Sequence, residues 1–336
     1  MALSAALAGS LADAWSWLEF LACHEKQVIK RVIVSPVYAL LALGSFFVSL
    51  RTRYSKGVVV RIQDVGFFSN YLAVLDACAR VPPGATVAVD WRLSGNEKHF
   101  TYGSPGTNVW AELFAATTVA GVTVRGVDDA TDARLYVLPR RFVLPFFRFH
   151  SYFTADMKAH WGGGGLDAVA RSYHRFAGTI TIRSPYVLQA LADHADLGDG
   201  PTVGVHKRVN NFASLYQQGG VNSLDNDKYV AKMKSLAQFE ASRIYLATDD
   251  ADAPRLFKDA FGERVVVRDG VSRVGEGHEV HMCEMNLKPA TITEACDVLI
   301  DALLLAKCDV LVCGSSAVSL AVRFMKPAIE THYVRS

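Results

Sequence analysis

Gly204-Val-His-Lys-Arg-Val-Asn-Asn211 is an apolar start running into basic and polar residues. Two later stretches have the same form. Arg243-Ile-Tyr-Leu-Ala-Thr-Asp-Asp250 is one, and Asp301-Ala-Leu-Leu-Leu-Ala-Lys-Cys-Asp-Val-Leu-Val-Cys-Gly-Ser-Ser316 is the other. A short apolar run that ends in polar residues is the signature of a buried parallel strand whose carboxyl end opens on a ligand crevice. The first run delivers His206 and Arg208, the second Asp249 and Asp250, the third Ser315 and Ser316. A guanidinium, two hydroxyls and carboxylates on one sheet edge suit a nucleotide. Arg binds a diphosphate bidentately, and a carboxylate accepts from a base or ribose.

The same alternation continues on both sides of these stretches. Strand 202–206, helix 226–240, strand 243–247, helix 253–260, strand 264–267, helix 291–306, strand 309–313 and helix 316–325 are expected in the second half. The first half starts at Gly57. Val58–Ile62 reads as a strand, Gly66–Asn70 as a turn, Tyr71–Arg80 as a helix and Thr86–Trp91 as the next strand, a βαβ opening. Further strands are expected at Gly121–Val127, Arg134–Leu138 and Thr179–Ile182, then a helix from Pro185 to Ala195. The short acidic, glycine-rich stretch Asp196–Pro201 marks the division, giving units at 57–199 and 200–336 behind an N-terminal segment 1–56.

The 336 residues suffice for two domains, and 51% hydrophobic against 20% charged residues describes a chain with a large core. A net charge of +2 gives no reason to expect nucleic acid. None of the six cysteines forms a CxxC pair. Cys78, Cys308 and Cys313 fall in apolar stretches and read as small buried hydrophobes, while Cys283 and Cys296 could be bridged in an oxidising lumen.

Val32–Leu50 carries no charge and is flanked by Lys30-Arg31 and by Arg51 and Arg53; roughly 19 residues is the length that spans a bilayer. Ser35, Pro36, Gly44 and Ser45 dilute it, and a helix packed on the domain is the competing reading. Asp13 and Glu19 and the lack of a basic start argue against a cleaved signal peptide. Membrane association through 32–50 would fit a single-pass protein of the Golgi or another endomembrane; a soluble cytoplasmic protein is the alternative.

The three motifs together resemble the fucosyltransferases that include core α-1,6-fucosyltransferase and the rhizobial nodulation fucosyltransferase. Val203-Gly-Val-His206-Lys-Arg208 is similar to their His-x-Arg motif. Arg243–Asp250 matches the Arg-x-Tyr-Leu-Ala-Thr-Asp-Asp strand of the core enzyme. Asp301, followed eight residues later by Asp309 and then by Ser315 and Ser316, resembles its final nucleotide segment. The resemblance covers residues 200 to 325. It implies a GT-B-like α/β fold, two Rossmann-type domains facing a cleft, with the nucleotide sugar on the second and the glycan acceptor on the first. It also implies GDP-fucose as donor and no metal. Arg208 would be catalytic, holding the β-phosphate and neutralising the leaving diphosphate. His206 and Asp301 would contact guanine, Ser315 and Ser316 phosphate or ribose, and Asp249 and Asp250 would line the crevice. Asp90 and Trp91, ending a strand of the first half, are the acceptor-side candidates.

The chain also departs from that pattern. The family follows His-x-Arg with Arg, Thr and Asp; here Val209, Asn210 and Asn211 stand there, and Phe212–Gly220 holds no acid. An inverting transfer needs a group to take the acceptor's proton. The alternative reading is therefore a catalytically silent relative that binds a nucleotide sugar or glycan, or a transferase using another sugar nucleotide. Asp225-Asn226-Asp227 has the form of a metal-binding DxD but sits at a helix start, where acids suit the dipole. His278, His281 and Cys283 are zinc ligands by type alone and read as a polar loop.

Overall fold

The computed structural model describes residues 51–52, 55–62, 66–92, 106–138, 165–208, 226–236, 239–273, 292–314 and 316–334. The stretch 32–50 lies outside them. Among the described residues no helix is long and apolar enough to cross a membrane. The chain packs as two compact α/β units, the second of which takes over from Ile182.

The first unit begins with β1 (Gly57–Arg61), α1 (Phe67–Arg80) and β2 (Thr86–Asp90), the βαβ opening that the apolar spacing predicts. A short α2 (Val109–Leu113) leads to β3 (Thr117–Val119) and β4 (Val122–Gly126), then α3 (Asp129–Asp132) and β5 (Tyr136–Val137). The sheet order is β3-β4-β2-β1-β5, parallel except for the β3–β4 hairpin. Central strands buried on both faces must be apolar throughout, and Val58, Val59, Val60, Val87, Ala88 and Val89 are all buried. The hairpin turn is made by Ala120 and Gly121, at φ 49° and 80°. An alanine seldom adopts that conformation, so the sequence gives no hairpin signal there. Helix α4 (Gly165–Ala177) follows; its Tyr173 hydroxyl donates to Asp76 of α1 at 2.8 Å. The strand expected at 179–182 does not form as an extended element.

The second unit opens with α5 (Pro185–Asp193), started by the Ser184 cap and a proline in its first turn, the position where a missing N–H costs nothing. Then come β6 (Thr202–Lys207), α6 (Asn226–Lys234), β7 (Arg243–Thr248), α7 (Ala253–Phe261), β8 (Val265–Val266), α8 (Ile292–Lys307), β9 (Val310–Cys313), α9 (Ala317–Met325) and β10 (Glu330–Tyr333). The sheet order is β10-β9-β6-β7-β8, parallel throughout. Where the sequence reading ends the first half at residue 199, α5 packs with the second unit. Lys307 Nζ of α8 donates to the Leu191 carbonyl at 3.2 Å, and Tyr186 Oη to Asp297 at 3.2 Å.

Strand alternation divides this sheet cleanly. Val203, Val205, Ile244, Leu246, Val265, Val310 and Val312 face α6 and α7, packing with Tyr229, Met233 and Phe257. The other face meets α8. A Cβ on Gly204 would stand 2.8 Å from Leu305 Cδ2 and 3.1 Å from Cys308 Sγ of the α8 side, so glycine is what lets this helix close on β6. Cys78, Cys308 and Cys313 are buried as expected, and Cys296 is a free buried thiol with Ser184 Oγ at 3.8 Å.

Candidate functional site

The site is built on the central strand of the second sheet. β6 lies between β7 and β9, with His206 in register with Ala247 and Cys313. Alternation sends His206 and Arg208 to the α8 face and Lys207 to the opposite one. His206 is 8% exposed, and its Nδ1 lies 3.3 Å from Ser316 Oγ. Ser316 is the N-cap of α9. Its hydroxyl accepts from Ser319 N–H while Ser319 Oγ accepts from Ser316 N–H, each at 3.0 Å, a reciprocal capping box. Ser316 thus caps α9 and touches His206 with the same hydroxyl. Burial, and then the nearby Arg208 cation, push the His206 pKa down to about 3, so the imidazole is neutral.

Arg208 follows the strand, and its Nε lies 3.6 Å from Asp249 Oδ2, which follows β7. Both side chains are partly exposed, at 31% and 22%. One residue away on each strand, Lys207 and Asp250 form a buried ion pair on the α6 face. Asn226 Nδ2 donates to the same Asp250 oxygen at 3.0 Å, and Asp252 N–H to the other at 2.8 Å. Burial raises the Asp250 pKa, but Lys207, the Asp252 amide and Asn226 together hold it below the usual carboxylate value. This corrects the reading of Asp250 as a crevice-lining group. Both its oxygens are taken up inside the protein, on the face away from Arg208. Asn226, from the formal DxD triplet, serves that ion pair, while Asp227 lies in the first turn of α6.

Asp301 is carried by α8. Its Oδ1 accepts from Tyr245 Oη at 2.7 Å and from Arg268 Nη1 at 3.2 Å. Arg268 Nη2 also donates to Asp297 Oδ1 at 2.7 Å, and Nη1 to the Asp297 carbonyl at 3.1 Å. Burial raises the Asp301 pKa above its ordinary value, against the opposing pull of Arg268 and the Tyr245 hydroxyl. Tyr245 is level with Gly204, two positions before the His206 row. Asp301 is thus bonded into a Tyr245–Arg268–Asp297 cluster, and its hydrogen bonds do not reach His206 or Arg208. Arg268 and Asp297 are not among the residues that sequence reasoning selects. The signal was present for Arg268, which follows a strand end of the same sheet as Arg208 does.

In the first unit, Asp90 closes β2 and is clamped by Arg92, with Nε to Oδ1 at 2.7 Å; the same guanidinium reaches Asp129 at 2.7 Å through Nη1. Trp91 does not fit an acceptor-side role. It is 1% exposed and packs edge-on against Trp110 with ring centroids 5.2 Å apart, because alternation turns it into the core. Ser315, Val209 to Asn211, Asp225, His278, His281 and Cys283 lie outside the described residues. Among the described residues no three His, Cys, Asp or Glu side chains group as metal ligands.

The architecture is α/β of the GT-B-like class, with two Rossmann-type units. Three solved structures are similar to this chain. The crystal structure of NodZ α-1,6-fucosyltransferase soaked with GDP-fucose matches over 81% of this chain and 93% of that one, at 18% identity and a TM-score of 0.50. Fucosyltransferase NodZ from Bradyrhizobium matches over 80% and 93%, at 20% identity and a TM-score of 0.49. POFUT1 in complex with GDP matches over 83% and 98%, at 11% identity and a TM-score of 0.47. No family model matches the chain. No curated protein matches it either.

Proposed function

We propose that the protein is a glycosyltransferase that takes a sugar from a GDP-sugar, with GDP-fucose as donor and a glycan or glycoconjugate as acceptor. The observation that carries this is the gathering of Arg208, His206 and the Ser316-capped start of α9 at the carboxyl edge of one parallel sheet. The fold shared with a fucosyltransferase soaked with GDP-fucose supports it. In this reading the second unit binds the donor and the first the acceptor. The positive end of α9 and the Arg208 guanidinium face the diphosphate. Neutral His206 and Asp301 contact the base.

Cleavage of the sugar–phosphate bond leaves negative charge on the β-phosphate. A guanidinium fixed on a strand end stabilises that charge as it develops and needs no metal to do so. The acceptor hydroxyl attacks from the opposite side, inverting the anomeric centre, and its proton passes to a base of the first unit or to an oxygen of the departing diphosphate. Membrane association through 32–50 belongs to the same proposal, with an endomembrane location.

A second reading is a silent relative that binds the nucleotide sugar without turnover. Val209 and Asn211, standing where the resemblance expects a second arginine and a carboxylate, favour it. Calorimetric titration with GDP, UDP, ADP and CMP, followed by an assay for GDP-fucose hydrolysis without acceptor, separates the readings. Selective GDP binding with slow hydrolysis supports the transferase, binding without hydrolysis the silent relative. Absence of GDP binding would remove both.

A further inference from the structure

Asp297 and Asp301 stand one turn apart on the same face of α8, where two carboxylates repel each other. Arg268 lies between them, 6% exposed, and bonds to Oδ1 of each. Among the described residues, the hydrogen bonds of both carboxylates involve Oδ1 alone, from Arg268 and Tyr186 on Asp297 and from Arg268 and Tyr245 on Asp301. Asp301 Oδ1 therefore has both its lone pairs occupied, and its acceptor capacity is left on Oδ2. Among the described residues, one arginine stands against the two aspartates.

We propose that Arg268 is a positioning residue for base selection: by pinning Oδ1 it fixes the Asp301 carboxylate so that Oδ2 accepts from the adjacent N1–H and N2–H₂ donors of a guanine. The inference rests on the reading of the protein as a GDP-sugar-binding enzyme. Tyr245 alone offers one hydroxyl, which lets a carboxylate rotate; the planar guanidinium, itself held by Asp297 and its carbonyl, removes that freedom. Guanine is the fitting base because its two donors are neighbours on one edge. Hypoxanthine keeps N1–H and lacks the amino group, so it isolates the contact.

The test is calorimetric affinity for GDP and inosine diphosphate in the wild type, Arg268→Lys and Asp297→Asn, with melting temperature measured alongside. The wild type should prefer GDP by about tenfold or more, the scale of a hydrogen bond to a charged acceptor. In both variants the preference should shrink to about threefold or less, mainly through weaker GDP binding. A folded variant that keeps the wild-type preference overturns the inference, because a merely structural role would move stability and not selectivity. If Arg268→Lys does not fold, Asp297→Asn, which keeps the shape of the side chain, decides alone. Failure of both to fold would make the cluster a stability element and overturn the inference. A wild type that binds GDP without discriminating against inosine diphosphate overturns it while leaving the GDP-sugar reading standing. A wild type that binds no GDP overturns that reading, and the inference with it.

Discussion

Arg208 and Asp249 face each other across the ends of β6 and β7, Nε to Oδ2 at 3.6 Å, each partly open to solvent. An ion pair of this exposure adds about 0–1 kcal/mol to stability. On the proposed function its consequence lies in binding, since the carboxylate would compete with an incoming diphosphate for the guanidinium. Asp249→Asn should therefore tighten GDP binding by roughly two- to fivefold at low ionic strength, with the gain fading as salt screens it. Titrations at two salt concentrations check this. A tenfold loss of affinity would mean instead that Asp249 holds the nucleoside directly.

The neighbouring pair behaves differently, because Lys207 and Asp250 are 6% and 3% exposed. Breaking a buried pair by removing one partner costs about 3–5 kcal/mol. Lys207→Met should lose that much in denaturant unfolding at pH 7. The Asp250 pKa is depressed in the folded protein. Its contribution is thus present above the unfolded carboxyl value and is lost as pH falls through the folded one. The gap between wild type and Lys207→Met should begin to close below pH ~4, the unfolded carboxyl value, and go on closing as the depressed carboxyl of the wild type takes up its proton. A gap that stays constant on acidification would show that the cost is one of packing.

How much of this could be read in the sequence depended on how local each signal was. Strands β6, β7 and β9 lie close to their expected positions because buried parallel strands need unbroken apolar runs, and His206, Arg208 and Ser316 came with them. β3 and β10 carry no such signal. Thr117–Val119 is three residues long and turns back through an alanine at positive φ, and Glu330–Tyr333 is polar on an edge. The roles of Asp250 and Trp91 depend on partners remote in sequence, Lys207 and Trp110, and no spacing rule shows them. Arg268 draws its meaning from two aspartates on a helix that follows it, which no local pattern shows.

His206 carries a pH signature. Burial first, and Arg208 second, push its pKa down to about 3, so it is neutral in the folded state while the unfolded chain takes a proton near the ordinary imidazole value of about 6.5. Between those values the unfolded state binds more protons, and stability falls with falling pH by up to about 1.4 kcal/mol per unit. Between pH 7 and pH 5, wild type should lose roughly 2 kcal/mol more than His206→Gln in urea unfolding. Equal losses would mean that the imidazole takes up its proton while folded.

Gly204→Ala tests the close approach of α8. Alanine normally stabilises a strand interior relative to glycine by about 0.5–1 kcal/mol. Here its Cβ would meet Leu305 and Cys308 at 2.8 and 3.1 Å. The expected net effect is a loss of about 1–3 kcal/mol from overpacking, read as a lower melting temperature. A rise would mean that α8 has room to move.

The most direct measurement is Arg208→Lys, with turnover of GDP-fucose and affinity for GDP determined on the same preparation. Lysine keeps the charge and loses the planar fork. If Arg208 stabilises the departing diphosphate, its geometry matters more in the transition state than in the bound ground state. Turnover should then fall about 10²-fold, the scale of one fixed oxyanion donor, while GDP affinity changes far less and the melting temperature stays near that of the wild type. Unchanged turnover in an active protein would contradict the account and take Arg208 out of the mechanism.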